Sequence, residues 1–193
     1  MATNIITNEA SSVLGYSGKI SAIIKDKRGK IISKRTFHNV GSSYLFKFLS
    51  YCIAGKYQAA ENFRPKYIRL MSYNSINEPS IDSFDINDFS AASNLVLMNT
   101  LATPKEKDNS WSTILHFTIP FVFLQKEKIQ VACLYCESEK NTLSNYSAVA
   151  YFTKLDDQGK EILDQILTSD EFENYNLIIE WDLSVGNFEN QGE

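Results

Sequence analysis

The chain has 193 residues, is 44% hydrophobic and 12% aromatic, and carries a net charge of −4. That is the size of one domain with enough apolar material for a full core, and its acidic balance excludes a general nucleic-acid binder, which would show a basic stripe. No run of about 18 apolar residues is available to form a transmembrane helix, and Met1–Ser12 lacks the basic and apolar blocks of a signal peptide. Three cysteines make no disulfide framework, which fits a chain made in a cytoplasm or built into a particle assembled there.

Residues 1–15 read as an irregular N-terminal arm. A strand is predicted over 17–26, a turn at Lys27-Arg28-Gly29-Lys30 with Gly29 free to take positive φ, and an antiparallel return strand over 31–38. Phe37 to Gly55 follows, and the chain is organised around it. Leu45, Phe48, Leu49, Cys52 and Ile53 recur with the helical period and predict a helix over 43–54, packed as a plug against a β-rich body. Ser42 or Ser43 can cap its start, and Gly55 suits the left-handed residue that ends it.

A further strand begins at Pro65 and runs to Met71. Residues 73–110 read as a long polar loop, and so as a contact arm. Four alternating strands follow. One spans Trp111–Ile119. In Lys128–Glu137, Ile129, Val131, Cys133 and Tyr135 share a side; in Tyr146–Thr153, Tyr146, Ala148, Ala150 and Phe152 do. In the last, Tyr175, Leu177, Ile179, Trp181 and Leu183 oppose Asn176, Glu180 and Asp182. Such alternation predicts one buried and one wet face, and a one-residue slip would bury Glu180 and Asp182. Asp156–Leu167 can form a second short helix, with Ile162, Leu163, Ile166 and Leu167 as its apolar side. Residues 186–193 form a C-terminal tail. The sum is a single mainly-β domain over 1–193, an antiparallel β-sandwich or open barrel of about seven strands with one packed helix.

Cys133-Leu134-Tyr135-Cys136 has the spacing of zinc and redox pairs, but positions three apart in a strand point to opposite faces, so both sulfurs read as structural. Asp82, Asp85 and Asp88, near Glu78, lack the alternating ligands and central glycine of a calcium loop. They read instead as a carboxylate face for a basic partner. Lys27, Arg28 and Lys30 make the first turn basic, and an acidic neighbour, such as the 78–88 loop of an identical copy, would complement it. His38 reads as a hydrogen-bonded turn histidine. No nucleophile elbow, phosphate loop or dinucleotide glycine motif is present. Neither a catalytic residue nor a cofactor is expected.

The order of features resembles that of small virion proteins of tailed bacteriophages, from tail, neck, baseplate or fibre base. The pieces are the first hairpin, then Phe37-His38-Asn39-Val40-Gly41-Ser42-Ser43, a helix closing at Ala54-Gly55, and Pro65-Lys66-Tyr67-Ile68-Arg69-Leu70. Phe117-Thr118-Ile119-Pro120, Val131-Ala132-Cys133-Leu134-Tyr135, Tyr151-Phe152-Thr153 and Leu177-Ile178-Ile179-Glu180-Trp181-Asp182-Leu183 complete the series over residues 18–185. The resemblance implies a non-enzymatic structural subunit of the virion, forming a homo-oligomeric ring and contacting other virion proteins without nucleic acid or membrane. The alternative is a carbohydrate-binding or host-recognition module, with Tyr44, Tyr51, Tyr57, Tyr73 and Trp111 stacking on sugars.

Overall fold

The computed structural model describes residues 15–73, 88–101, 104–107, 110–120, 129–137, 141–142, 145–166 and 175–186. It is a mainly-β fold with two helical segments and several antiparallel sheets. In chain order the elements are β1 (Gly15–Asp26), β2 (Ile31–His38), β3 (Val40–Gly41), α1 (Ser43–Ile53), α2 (Tyr57–Glu61) and β4 (Pro65–Tyr73). The short strands β5 (Phe89–Ala91), β6 (Val96–Leu97), β7 (Thr100–Leu101) and β8 (Lys105–Lys107) come next. The chain continues through β9 (Ser110–Ile119), β10 (Val131–Cys136), β11 (Ala148–Tyr151), β12 (Thr153–Leu155), β13 (Glu161–Leu163) and β14 (Tyr175–Gly186).

Among the described residues two six-stranded sheets form. The first runs β2-β1-β14-β9-β7, with β8 also on β9; the second runs β3-β11-β10-β4-β5, with β6 also on β4. The seven strands expected from alternation are all present, and the register of the last holds. Trp181 is fully buried while Glu180 and Asp182 lie on the other face, opposite Ser21 and Lys19 of β1. The main core draws on both sheets: Ile20, Phe37, Phe117, Leu177 and Trp181 from the first, and Ile68, Leu70, Leu134, Ala150 and Phe152 from or beside the second. Phe37 and Phe152 meet ring to ring at 4.9 Å.

The first hairpin closes through Asp26. Its Oδ1 accepts the N–H groups of Arg28 and Lys30 at 2.8 and 2.9 Å, and Gly29 takes φ +82°. The chain then leaves the first sheet for the second at Asn39, between β2 and β3. The Asn39 N–H donates to the Gly18 carbonyl at 3.2 Å, and its side chain lies so close over Gly18 that a Cβ there would sit 2.0 Å from Oδ1. A side chain at Gly18 would have to displace the Asn39 amide from this corner.

Helix α1 forms where the periodicity places it. Ser42 caps it, accepting from the Tyr44 N–H at 3.2 Å and donating to the Tyr146 carbonyl. At the other end Lys56 N–H bonds to Tyr51 O at 2.9 Å and Gly55 N–H to Cys52 O at 3.1 Å, with Gly55 at φ +69°. These are the paired bonds of a Schellman stop. The stripe is covered in part: Leu45 is buried, Phe48, Leu49 and Cys52 are half-buried, and Ile53 is 75% exposed; among the described residues the helix packs mainly on α2 and β3.

Three other expectations change. Residues 156–167 hold no helix in their described part, which ends at Ile166; β12 and β13 form a hairpin there. Asp156 Oδ1 accepts from the Gln158 and Lys160 N–H groups at 2.8 and 2.9 Å, with Gly159 at φ +77°, and this tight turn wins over the apolar spacing. The polar stretch 73–110 is not one loose arm where it is described: β5 and β6 pair with β4, and β7 and β8 with β9. Strand β10 has no wet face, since all six of its residues are buried. A second cluster of Met71, Phe89, Val131, Cys133, Tyr135, Val149 and Leu163 lies on the side away from Ala132 and Leu134. Ile129 therefore belongs to the main core rather than with Val131, and Tyr146 packs on the second cluster rather than with Ala148.

The two tryptophans separate core from surface. Trp181→Ala should cost about 3–5 kcal/mol through the cavity it leaves. Trp111→Ala, at a site 56% exposed in the same sheet, should change stability by less than about 0.5 kcal/mol. Denaturant titrations followed by circular dichroism compare them, and equal losses would contradict the burial assigned here.

Candidate interaction surface

The three basic residues singled out in the sequence lie together. Lys27, Arg28 and Lys30 are all exposed at the tip of the first hairpin, whose backbone Asp26 holds in shape. The tip is a short, rigid cationic projection. Of the acidic set, Asp82 and Asp85 lie outside the described residues. Asp88 is exposed immediately before β5. Strand β2 leads away from this tip and, among the described residues, pairs on one side only, with β1. Its first residues, Ile31 and Ile32, are 52% and 50% exposed.

Along its far half β2 faces the β12–β13 hairpin across a surface cleft of about 370 Å³. His38, Val40, Tyr151, Thr153, Leu155 and Glu161 contribute to its walls. The Thr153 hydroxyl lies 3.2 Å from Glu161 Oε1 and donates to it. The floor is tied by a group that alternation alone could have revealed. Arg35 shares the inward side of β2 with Phe37, and an arginine turned inward needs partners. Its guanidinium meets Asp164 at 2.8 Å, donates to the Thr153 carbonyl at 3.0 Å, and stands 5.1 Å from the centre of the Phe37 ring. Lys154 adds a second cation at 3.3 Å from Asp164. Removal from water pushes the Asp164 carboxyl pKa up, but the hydrogen bonds and charges of Arg35 and Lys154 outweigh this and hold it below the ordinary aspartate value.

Both cysteines of the pair are buried. Cys133 is wholly buried, with its sulfur 3.4 Å from Met71 Sδ, and burial pushes its thiol pKa far up. An enclosed thiol of this kind stays neutral, and the thiolate is the reactive form. Cys136 falls where the β10–β4 register shifts, and it is also buried and forms no disulfide. His38 is exposed at the end of β2, on the rim of the cleft. His116 faces Glu180 across the outer side of the first sheet at 3.8 Å. Among the described residues no three His, Cys, Asp or Glu side chains gather closely enough to hold a metal ion. Of the aromatics considered for sugar stacking, Tyr57 and Trp111 are open at 71% and 56% exposure. Tyr51 is stacked on Phe63 at 5.5 Å and Tyr73 packs edge-on against Phe89 at 5.2 Å.

No protein-family model, curated protein or solved structure matches this chain.

The Arg35–Asp164 tie has a pH signature. A carboxylate whose folded pKa lies below its unfolded one contributes stability above the ordinary aspartate range and loses it as pH falls through the folded value. Asp164→Asn is expected to lower the denaturation midpoint near pH 7 and to shrink the further loss on acidification to about pH 2. An acid limb identical to that of the wild type would show that Asp164 is not a linked group.

Proposed function

We propose that this protein is a non-enzymatic structural subunit that assembles with copies of itself and with other proteins of a tailed-bacteriophage virion, as a ring in the tail or neck. The element order from the first hairpin to the Trp181 strand supports the virion assignment. In the same reading the two six-stranded sheets stack as a β-sandwich, sharing the core that holds Phe37, Phe152 and Trp181.

The observation that carries the assembly reading is the one-sided pairing of β2 among the described residues. An edge strand with half-exposed isoleucines and a basic tip is a surface that association can cover. Charged residues at such an edge, here Lys30 and Lys34, discourage unspecific strand addition while leaving complementary contacts open. A sugar-binding reading could use the cleft beside β2, but Tyr57 and Trp111 do not line it.

Purified protein is expected to form closed multimers, seen as rings with one rotation axis in electron micrographs and as a discrete species in sedimentation. A chain that stays monomeric up to its solubility limit would overturn the reading. Within the multimer the hairpin tip faces an acidic neighbour, so Lys27/Arg28/Lys30→Glu should abolish assembly while leaving the monomer folded. Normal assembly by that variant would remove the hairpin from the interface. A glycan array that returns specific binding, with no multimer, would favour the recognition alternative.

A further inference from the structure

Antiparallel pairing fixes which backbone groups of β2 are spent and which are not. One residue past the β1–β2 ladder, the Asn39 N–H bonds to Gly18 O at 3.2 Å. Hydrogen-bonded pairs alternate with non-hydrogen-bonded ones along such a ladder. Phe37 and Arg35, opposite Ile20 and Ala22, therefore exchange main-chain bonds with β1. Lys34, Thr36 and His38, opposite Ile23, Ser21 and Lys19, turn their N–H and C=O groups away from it. The Ser21 and Thr36 hydroxyls approach to 3.2 Å, the close side-chain spacing of a non-hydrogen-bonded pair. Among the described residues no strand meets the outward groups, and Lys34, Thr36 and His38 are all exposed.

The cleft lies on this side of β2, and its opposite wall is a second strand edge. Among the described residues β12 pairs with β13 alone. The Asp164 N–H bonds to Phe152 O at 2.7 Å. Thr153, next along the strand, turns its carbonyl the other way, and Arg35 reaches it from β2 at 3.0 Å. A side chain thus bridges the two edges where a backbone neighbour would otherwise stand. Val40 and Leu155, 62% and 66% exposed, join Phe37 and Tyr151 as apolar surface in the cleft. Main-chain donors and acceptors along one side, with apolar side chains beside them, are the two features that hold an extended peptide.

The charge along this edge has one sign. From Lys25 to His38 the chain carries six lysines and arginines and one carboxylate, Asp26, which the turn amides occupy. Arg35 is matched by Asp164, but Lys34 approaches Glu180 only to 3.9 Å. On the far wall Lys154 is exposed, and the Glu161 carboxylate accepts from the Thr153 hydroxyl. Two β2 edges brought together would set lysine against lysine, which disfavours β2 of a second copy as the neighbour. We propose that the cleft takes an extended acidic segment of a different protein, added as a strand to β2. Its apolar side chains enter the cleft towards Phe37 and Leu155, and its alternate carboxylates lie beside Lys34. This inference rests on the assembly reading above and gives the partner at the β2 edge a chemistry.

The test is fluorescence anisotropy of the full chain with a labelled peptide of alternating glutamate and valine as the probe, beside its lysine–valine counterpart. The glutamate peptide should bind at least about tenfold more tightly, by a margin that narrows as salt rises. Lys34→Glu, Leu155→Ser and Thr36→Pro should each weaken it by about fivefold or more, through the charge, the apolar wall and the outward N–H in turn. All three positions are exposed, and an edge strand tolerates proline where the N–H faces solvent, so denaturation midpoints should stay near the wild type. Should Thr36→Pro unfold, a glutamate–valine peptide N-methylated at every residue takes its place and should not bind. Equal binding of the two peptides, or binding that survives loss of the main-chain donors, would overturn the proposal. Wild-type multimers that dissolve as the peptide is added would assign the cleft to a segment of a second copy and overturn the foreign partner. Multimers with no peptide binding would overturn this inference and leave the assembly reading standing. Peptide binding by a chain that stays monomeric would do the reverse.

Discussion

Strand β10 has both faces buried, and the rest of the molecule is arranged to make that physically acceptable. A strand with no wet face must meet apolar side chains on both sides and have both of its backbone edges paired. Its edges are met by β4 and β11. On one side Ala132 and Leu134 join the core that also contains Trp181 and Phe117 of the first sheet. On the other, Val131, Cys133 and Tyr135 meet Met71, Phe89, Val149 and Leu163. The polar atoms this encloses are few and have soft partners: the Cys133 thiol and the Tyr135 hydroxyl both approach Met71 Sδ. Burial raises the pKa of both groups, which keeps them neutral where a charge would be expensive.

Much of this was legible in the residues. Period-two alternation located the seven longer strands, and the charges at Glu180 and Asp182 set the register of β14 unambiguously. The helix could be read from its stripe and its glycine stop. What alternation could not report is the second cover on β10, because Val-Ala-Cys-Leu-Tyr-Cys has no polar residue to mark a wet face, and small residues such as Ala132 pass for either side. The 156–160 turn shows a different failure. Ile162, Leu163, Ile166 and Leu167 fit a helical spacing as well as a strand, and the period alone does not choose. The deciding signal was in the chain already: Asp156-Asp157-Gln158-Gly159-Lys160 repeats the Asp-x-x-Gly-Lys of Asp26–Lys30. In both, the aspartate bonds the same two amides and the glycine takes positive φ.

The candidate surface was legible in part. The basic tip at Lys27, Arg28 and Lys30 is local in sequence, so reading it needed only the turn. Arg35 is different. Its partners Asp164 and the Thr153 carbonyl are more than a hundred residues away, and no local pattern names them. Arg35 is two residues from the buried Phe37 on β2, so alternation puts both on one side, and the demand for a partner is visible there although its identity is not. The tie matters for the surface because it fixes the β12–β13 hairpin against β2 and so sets the walls of the cleft between them.

The apolar stripe of α1, Leu45, Phe48, Leu49, Cys52 and Ile53, is covered only in part. The β body fills its core from its two sheets, with Phe37 against Phe152. Among the described residues the helix is held by its Ser42 cap and by contacts with β3 and the short α2. Its start is therefore fixed by hydrogen bonds from Ser42 to Tyr146 and Ser147, while Ile53 at its end and Tyr57 at the start of α2 are open to water. A helix stabilised this way has no need of Phe46 or Ile53 for its own folding, since neither contributes to a buried cluster. Leaving such side chains in water forgoes about 1.5–3 kcal/mol of burial for each, and a cover that takes them out of water would recover much of it.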